Sequence, residues 1–231
     1  FFRAPIEANE VLRMGKGKWD FAEMYLVHKT YEDRAKASVR MHGDISFSQG
    51  GSFYDAVYCM KHYGMIPQSA MPEPGTLYGD TLPNFTEFFS ILEPQVAAIA
   101  KGKQKKLSPI WFKSINSTLD NYLGECPTEF TYNGKTYTPQ SYMASTGLNM
   151  DDYVSLTSFT HHPFYEQFVI EVQDNWRWAL SYNLPLDEFM EVMESGVKNG
   201  YTFAWGADVT ENGFSRDGIA VYPDLQKVKD E

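Results

Sequence analysis

The period of the apolar residues changes along this chain, and that change limits the fold more than any other feature. Up to about residue 123 the spacing is helical. Residues 6–14 set Ile6, Val11 and Met14 on one helical face, and Gly15 and Gly17 stop that stretch. Over 21–40, Phe21, Met24, Tyr25, Val27, His28, Tyr31, Ala35 and Val39 share one broad face. Residues 52–63 read as a third helix, N-capped near Ser52 and closed by Gly64, with Ile66-Pro67 leading out extended. Residues 71–84, rich in proline and glycine, predict a loop, and helix returns over roughly 86–123.

Beyond residue 123 the runs are short and alternating. Asn133-Gly134 stands between Phe130–Tyr132 and Lys135–Tyr137, a strong hairpin signal. Residues 151–160 and Phe168–Val172 are rich in β-branched and aromatic side chains and predict strands. Residues 186–199 predict an amphipathic helix lined by Phe189, Val192, Met193 and Val197 and stopped by Gly200. Tyr201–Trp205 then predicts a buried strand. Helices and strands are not regularly interleaved, so the fold class is α+β.

With 43% hydrophobic and 16% aromatic residues in a chain of 231, a sizeable core is available. Twenty basic residues against 30 acidic ones leave a net charge of −10, which repels phosphate backbones and argues against a nucleic-acid partner. The one basic run, Lys101–Lys106, reads as a solvated loop or helix end. No apolar run approaches the roughly 20 residues needed to cross a bilayer, so no membrane partner is expected. The chain opens on Phe1-Phe2-Arg3 rather than Met and shows no signal peptide, so it is expected to be a processed product or a piece of something longer.

No HExxH, CxxC, P-loop or GxSxG pattern is present. His161-His162 is the one histidine pair. In a strand, adjacent side chains face opposite ways, so such a pair would chelate poorly and no metal is expected. His28, His42 and His62 are scattered and read as structural. Cys59 falls in the middle of a helix, whereas catalytic thiolates favour helix N-termini, and Cys126 precedes Pro127 in a loop; both read as structural. Gln49-Gly50-Gly51 ahead of a helix has two readings. Paired glycines can let a ligand approach the backbone, or they can simply make a turn.

The order of several motifs carries a resemblance. Phe21-Ala-Glu-Met-Tyr-Leu-Val-His28 is similar to the helix that follows the catalytic-cysteine helix in papain-like proteases. Gln49-Gly-Gly-Ser-Phe-Tyr-Asp-Ala56 and Tyr63-Gly-Met-Ile-Pro67 are similar to the glycine-pair segment and the stretch after it. Thr30–His42, the insertion after Pro67, Asp151–Thr160, His162-Pro-Phe164, Leu184-Pro-Leu-Asp187 and Gly200–Val209 follow the order of one branch. The chain thus resembles the bleomycin hydrolase/aminopeptidase C family of papain-like cysteine peptidases over essentially its whole length.

That resemblance implies a papain-like fold with helical insertions, incomplete at both ends. Residues 1–85 would be part of the helical domain, 86–165 a family-specific insertion, and 166–231 the start of the β domain. The implied function is a thiol-dependent aminopeptidase that removes N-terminal residues from peptides. Its nucleophilic Cys and oxyanion Gln would lie before Phe1, and its His and Asn after Glu231, so no catalytic residue is expected within the chain, which alone would be inactive. Gly50 and Gly51 would offer backbone groups to an extended peptide, and Phe203 would line the side-chain pocket beside the cleaved bond. No cofactor is implied. Partners implied are peptide substrates and a homo-oligomer, a hexamer in this family; the location implied is cytoplasmic, with an exported form left open. The alternative is a non-catalytic peptide-binding or assembly fragment. On the residue reading, a valine at Gly51 should weaken ligand binding and leave the fold largely intact.

Overall fold

The computed structural model describes residues 3–71 and 84–206, together with 219 and 221. Four helices surround the core, with α2 (Glu23–Arg40) at their centre. It packs against α3 (Phe53–Tyr63), α4 (Phe85–Ala100) and α5 (Trp111–Leu123), while α1 (Arg3–Arg13) lies against α3. Met24, Tyr25, Tyr31 and Ala35 of α2 are buried with Val57, Met60, Phe88, Leu92, Val96, Ile115, Leu119 and Leu123. Because neighbours press on several sides of α2, Thr30, Glu32, Arg34 and Ser38 are buried as well. The helical stretch expected over roughly 86–123 consists of two helices. Residues 101–106 between them are exposed, where Gly102 and clustered like charges disfavour a continuous turn.

The ends of α3 follow their local chemistry. The Ser52 hydroxyl accepts the Tyr54 N–H (3.0 Å) and the Asp55 carboxylate accepts the Ser52 N–H (2.9 Å), a reciprocal cap. At the other end Gly64 has φ 80°, and a Cβ there would meet the Pro139 carbonyl carbon at 2.3 Å. That close approach lets the Met65 N–H donate to the Pro139 carbonyl (3.1 Å).

The Asn-Gly hairpin forms as expected: β1 (Phe130–Tyr132) pairs antiparallel with β2 (Lys135–Tyr137), Phe130 opposite Tyr137. Asn133 and Gly134 take φ values of 49° and 73°, the left-handed pair that a tight two-residue hairpin turn requires. The helix α6 (Pro139–Thr146) follows and buries Tyr142, whose ring lies 5.0–5.6 Å from those of Trp19, Phe130, Tyr132 and Tyr137.

A three-stranded mixed sheet comes next, in the order β3 (Leu156–Thr157), β5 (Leu180–Asn183), β4 (Gln167–Val169). Strand β3 runs parallel to β5, and β4 antiparallel to it with Phe168 opposite Ser181. The strand expected over 151–160 shrinks to two residues. Met150–Asp152 is a 3-10 turn instead, started by Asn149 accepting the Asp151 N–H (3.2 Å). The strand expected through Val172 ends at Val169, where the partner strand gives way to Trp178 at φ 56°. Helix α7 (Leu186–Lys198) forms as predicted, but none of its residues is buried. The buried strand predicted over 201–205 is not found: the segment is irregular and Trp205 is 65% exposed. Among the described residues no strand lies beside it to satisfy its backbone.

Candidate functional site

The turn ahead of α3 is built around a buried cation. Arg34 is 0% exposed, and its guanidinium donates to the carbonyls of Ser46 (2.9 Å), Ser48 (3.2 Å) and Gly50 (3.0 Å) and to the Ser48 hydroxyl (3.1 Å). Five N–H groups in a rigid fork suit that task, which no ammonium could do alone. The Gly50 carbonyl is therefore occupied. Gly50 itself sits at φ 87°, with Asp174 beside the space a Cβ would take (3.3 Å). Gly51 is exposed, and among the described residues neither its N–H nor its C=O has a hydrogen-bond partner. A Cβ on Gly51 would stand 2.8 Å from the Asp55 carboxylate, so a valine there must displace that side chain.

A second arginine ties this turn to a distant part of the chain. Arg177 donates to Asp55 (2.7 Å) and Asp33 (3.0 Å) and lies between the rings of Tyr58 (3.9 Å) and Trp176 (4.1 Å). Burial disfavours its charge, but Asp55 and Asp33 outweigh that and favour the guanidinium. Burial pushes the Asp55 carboxyl up, offset in part by Arg177 and the Ser52 N–H. Arg34, Arg177 and both carboxylates were not singled out by any sequence pattern. Arg34 was the findable one, because it stands three residues after Tyr31 and four before Ser38, on a face that is otherwise packed.

Phe203 lies elsewhere than Gly50 and Gly51. It lines a cavity of roughly 420 Å³ with Arg13, Gly147, Asp152 and Tyr153, and neither glycine reaches that cavity. Three residues on, Gly206 comes beside Phe53, the first residue of α3 (3.7 Å from a Cβ placed there).

Both cysteines are free thiols. Cys59 is buried in α3, as expected, and burial pushes its thiol up to about 12, only partly offset by the Thr30 hydroxyl at 3.5 Å. Cys126 faces a buried histidine. His28 sits 2.9 Å from Asp120 and 3.1 Å from Glu32. Burial would push the His28 ring down, but Cys126, Glu32 and Asp120 together raise it to about 10. Burial acts against the Glu32 charge too, and His28 with Lys29 (2.8 Å) brings that carboxyl down to about 2. The group is an ion-paired cluster joining α2 to α5.

His161 and His162 lie in a turn, not in a strand, so the ground for calling them poor chelators does not hold. Their rings are 4.5 Å apart, and one atom from each and a Glu171 carboxylate oxygen all fall within 4.8 Å of one another.

Comparison with known proteins places the chain. The Peptidase C1-like family matches residues 18–228, and the chain belongs to that family. It is 24% identical over 188 residues to aminopeptidase E of Lactobacillus helveticus, an alignment that takes in 72% of this chain and 43% of that protein. It shares its fold with the crystal structure of PepW from Lactobacillus rhamnosis HN001, with a TM-score of 0.60, 19% identity, and coverage of 86% of this chain and 54% of PepW. The chain therefore spans about half the length of these relatives. The papain-like resemblance read from the motif order agrees with both.

Proposed function

We propose that the chain is the substrate-holding part of a thiol-dependent aminopeptidase, and that Gly51 is where an extended peptide pairs with it. The observation that carries this reading is the exposed N–H and C=O of Gly51, which have no hydrogen-bond partner among the described residues. They stand on a turn fixed by Arg34 and Arg177, in a chain of the peptidase C1-like family. A peptide laid along that edge would gain main-chain hydrogen bonds, the usual source of affinity in strand addition. Phe203 is proposed to contribute to side-chain selection. The nucleophilic cysteine, its histidine and its asparagine are proposed to come from outside residues 1–231. Cys59 is too deeply buried to ionise near neutral pH, and an active Cys–His pair must generate a thiolate and protonate the leaving amine. A homo-oligomer is part of the same proposal.

The second reading is a peptide-binding chain that does not cleave, and one experiment separates the two. The full-length protein is assayed against an unblocked aminoacyl fluorogenic substrate, its N-acetylated counterpart, and the unblocked substrate after alkylation of accessible thiols. Turnover of the unblocked substrate alone, abolished by alkylation, is expected. Saturable peptide binding with no turnover would replace the enzyme by the binder, and turnover indifferent to alkylation would overturn the thiol mechanism.

A further inference from the structure

We propose that His161, His162 and Glu171 form a zinc-binding site on the mixed sheet. Their three donor atoms lie within 4.8 Å of one another. Donors around a tetrahedral zinc stand roughly 3.4 Å apart, given metal–ligand distances of about 2.0–2.2 Å, so closure needs movements on the order of an ångström. His161 and Glu171 are exposed, so solvent rather than packed protein borders the path of that movement on one side. Among the described residues none of the three side chains makes a hydrogen bond or an ion pair, so their lone pairs are uncommitted.

The backbone beneath them is fixed. Asn183 of β5 is fully buried; its side-chain Oδ1 accepts the Phe159 N–H (2.8 Å), and its Nδ2 donates to the carbonyls of Phe159 (2.9 Å), His162 (3.0 Å) and Pro163 (3.1 Å). One buried side chain thus staples the turn that carries both histidines. The His162 ring is held flat against Phe168 of β4, with centroids 3.9 Å apart and planes 20° from parallel. Glu171 follows two residues past the end of β4, so the turn and the strand converge on one point.

Two imidazoles and one carboxylate are borderline donors, suited to zinc; calcium and magnesium prefer all-oxygen shells. Three protein ligands leave one position for water. The ion would clip the turn after β3 to the chain leaving β4 and brace an edge that is only a few residues long. The net charge of −10 favours a cation at the surface.

The test uses the full-length protein with accessible thiols alkylated, so that sulfur cannot compete. Zinc chloride alone is titrated in at neutral pH by calorimetry, into the wild type and into His161→Ala, His162→Ala and Glu171→Gln. One saturable zinc per chain is expected, weakened at least about tenfold in each variant, with a zinc-dependent rise in Tm in the wild type only. The substituted side chains lack polar partners, and matching circular dichroism and metal-free Tm values will show the variants fold. Absence of saturable binding, or affinity unchanged in the histidine variants, overturns the site. Retention by Glu171→Gln alone overturns the three-ligand geometry.

Discussion

At the scale of single residues, the two arginines explain more of the candidate site than the two glycines do. Arg34, itself buried, donates to three backbone carbonyls of the turn. Arg34→Met would remove those bonds from residues that are themselves exposed or half-buried, so solvent can replace part of each, at roughly 0.5–1.5 kcal/mol per bond. A loss of about 1.5–4 kcal/mol in urea unfolding is therefore expected. Arg34→Lys keeps the charge but reaches fewer acceptors. In the complete protein it should raise KM for an unblocked aminoacyl substrate more than it lowers kcat, since it loosens the turn without touching the reacting atoms; equal loss in both would remove Arg34 from substrate positioning. The glycines were legible because a glycine pair before a helix cap is a local pattern. Their reasons were not: Gly50 is there for its positive φ, and Gly51 for its approach to Asp55. Arg177 was invisible, because nothing near it in sequence names the carboxylates it binds.

At the scale of elements, helix ends marked by a capping residue were legible and strand lengths were not, for one physical reason. A helix is capped by its own neighbours, so Ser52, Gly64 and Gly200 could be recognised in place. A strand is completed by a partner, and the length of β3 is set by β5, which lies more than twenty residues on. The hairpin is the exception that fits the rule, since its partner is two residues away. Gly64 offers a direct measure of how closely elements pack. Gly64→Ala combines a left-handed φ of 80° with a contact of 2.3 Å to the backbone of Pro139. Gly134, at φ 73°, has nothing within 4 Å. Gly134→Ala should cost about 1 kcal/mol, and Gly64→Ala at least about 3 kcal/mol, because strain and clash add. Thermal unfolding of the two variants side by side will show it; similar losses would mean that α3 and α6 are free to separate.

At the scale of the whole molecule, the α+β class was legible from the change of period alone, whereas the layout of the sheet and the ion-paired interior of the helical half were not. That interior sets a pH profile. His28 is raised in the fold from its ordinary 6.5 to about 10, so its contribution is complete below pH 6.5 and is lost as pH rises through 10. Glu32 is lowered from 4.5 to about 2, so its contribution is complete above pH 4.5 and is lost as pH falls through 2. Both are whole between pH 4.5 and 6.5. The urea midpoint should therefore decline from pH 6.5 to 10, and His28→Gln should flatten that decline; an unchanged slope would show that His28 is not charged in the fold. The Arg177 clasp bears on the order in which the molecule can be assembled. Its partners precede it by 122 and 144 residues. A growing polypeptide completes α2, the glycine turn and α3 long before the cation arrives, and until then, among the described residues, Asp33 has only Tyr63 and Lys36, and Asp55 only the Ser52 N–H, for partners. The turn proposed to receive a peptide therefore gains its second tether only after residue 177 has been made.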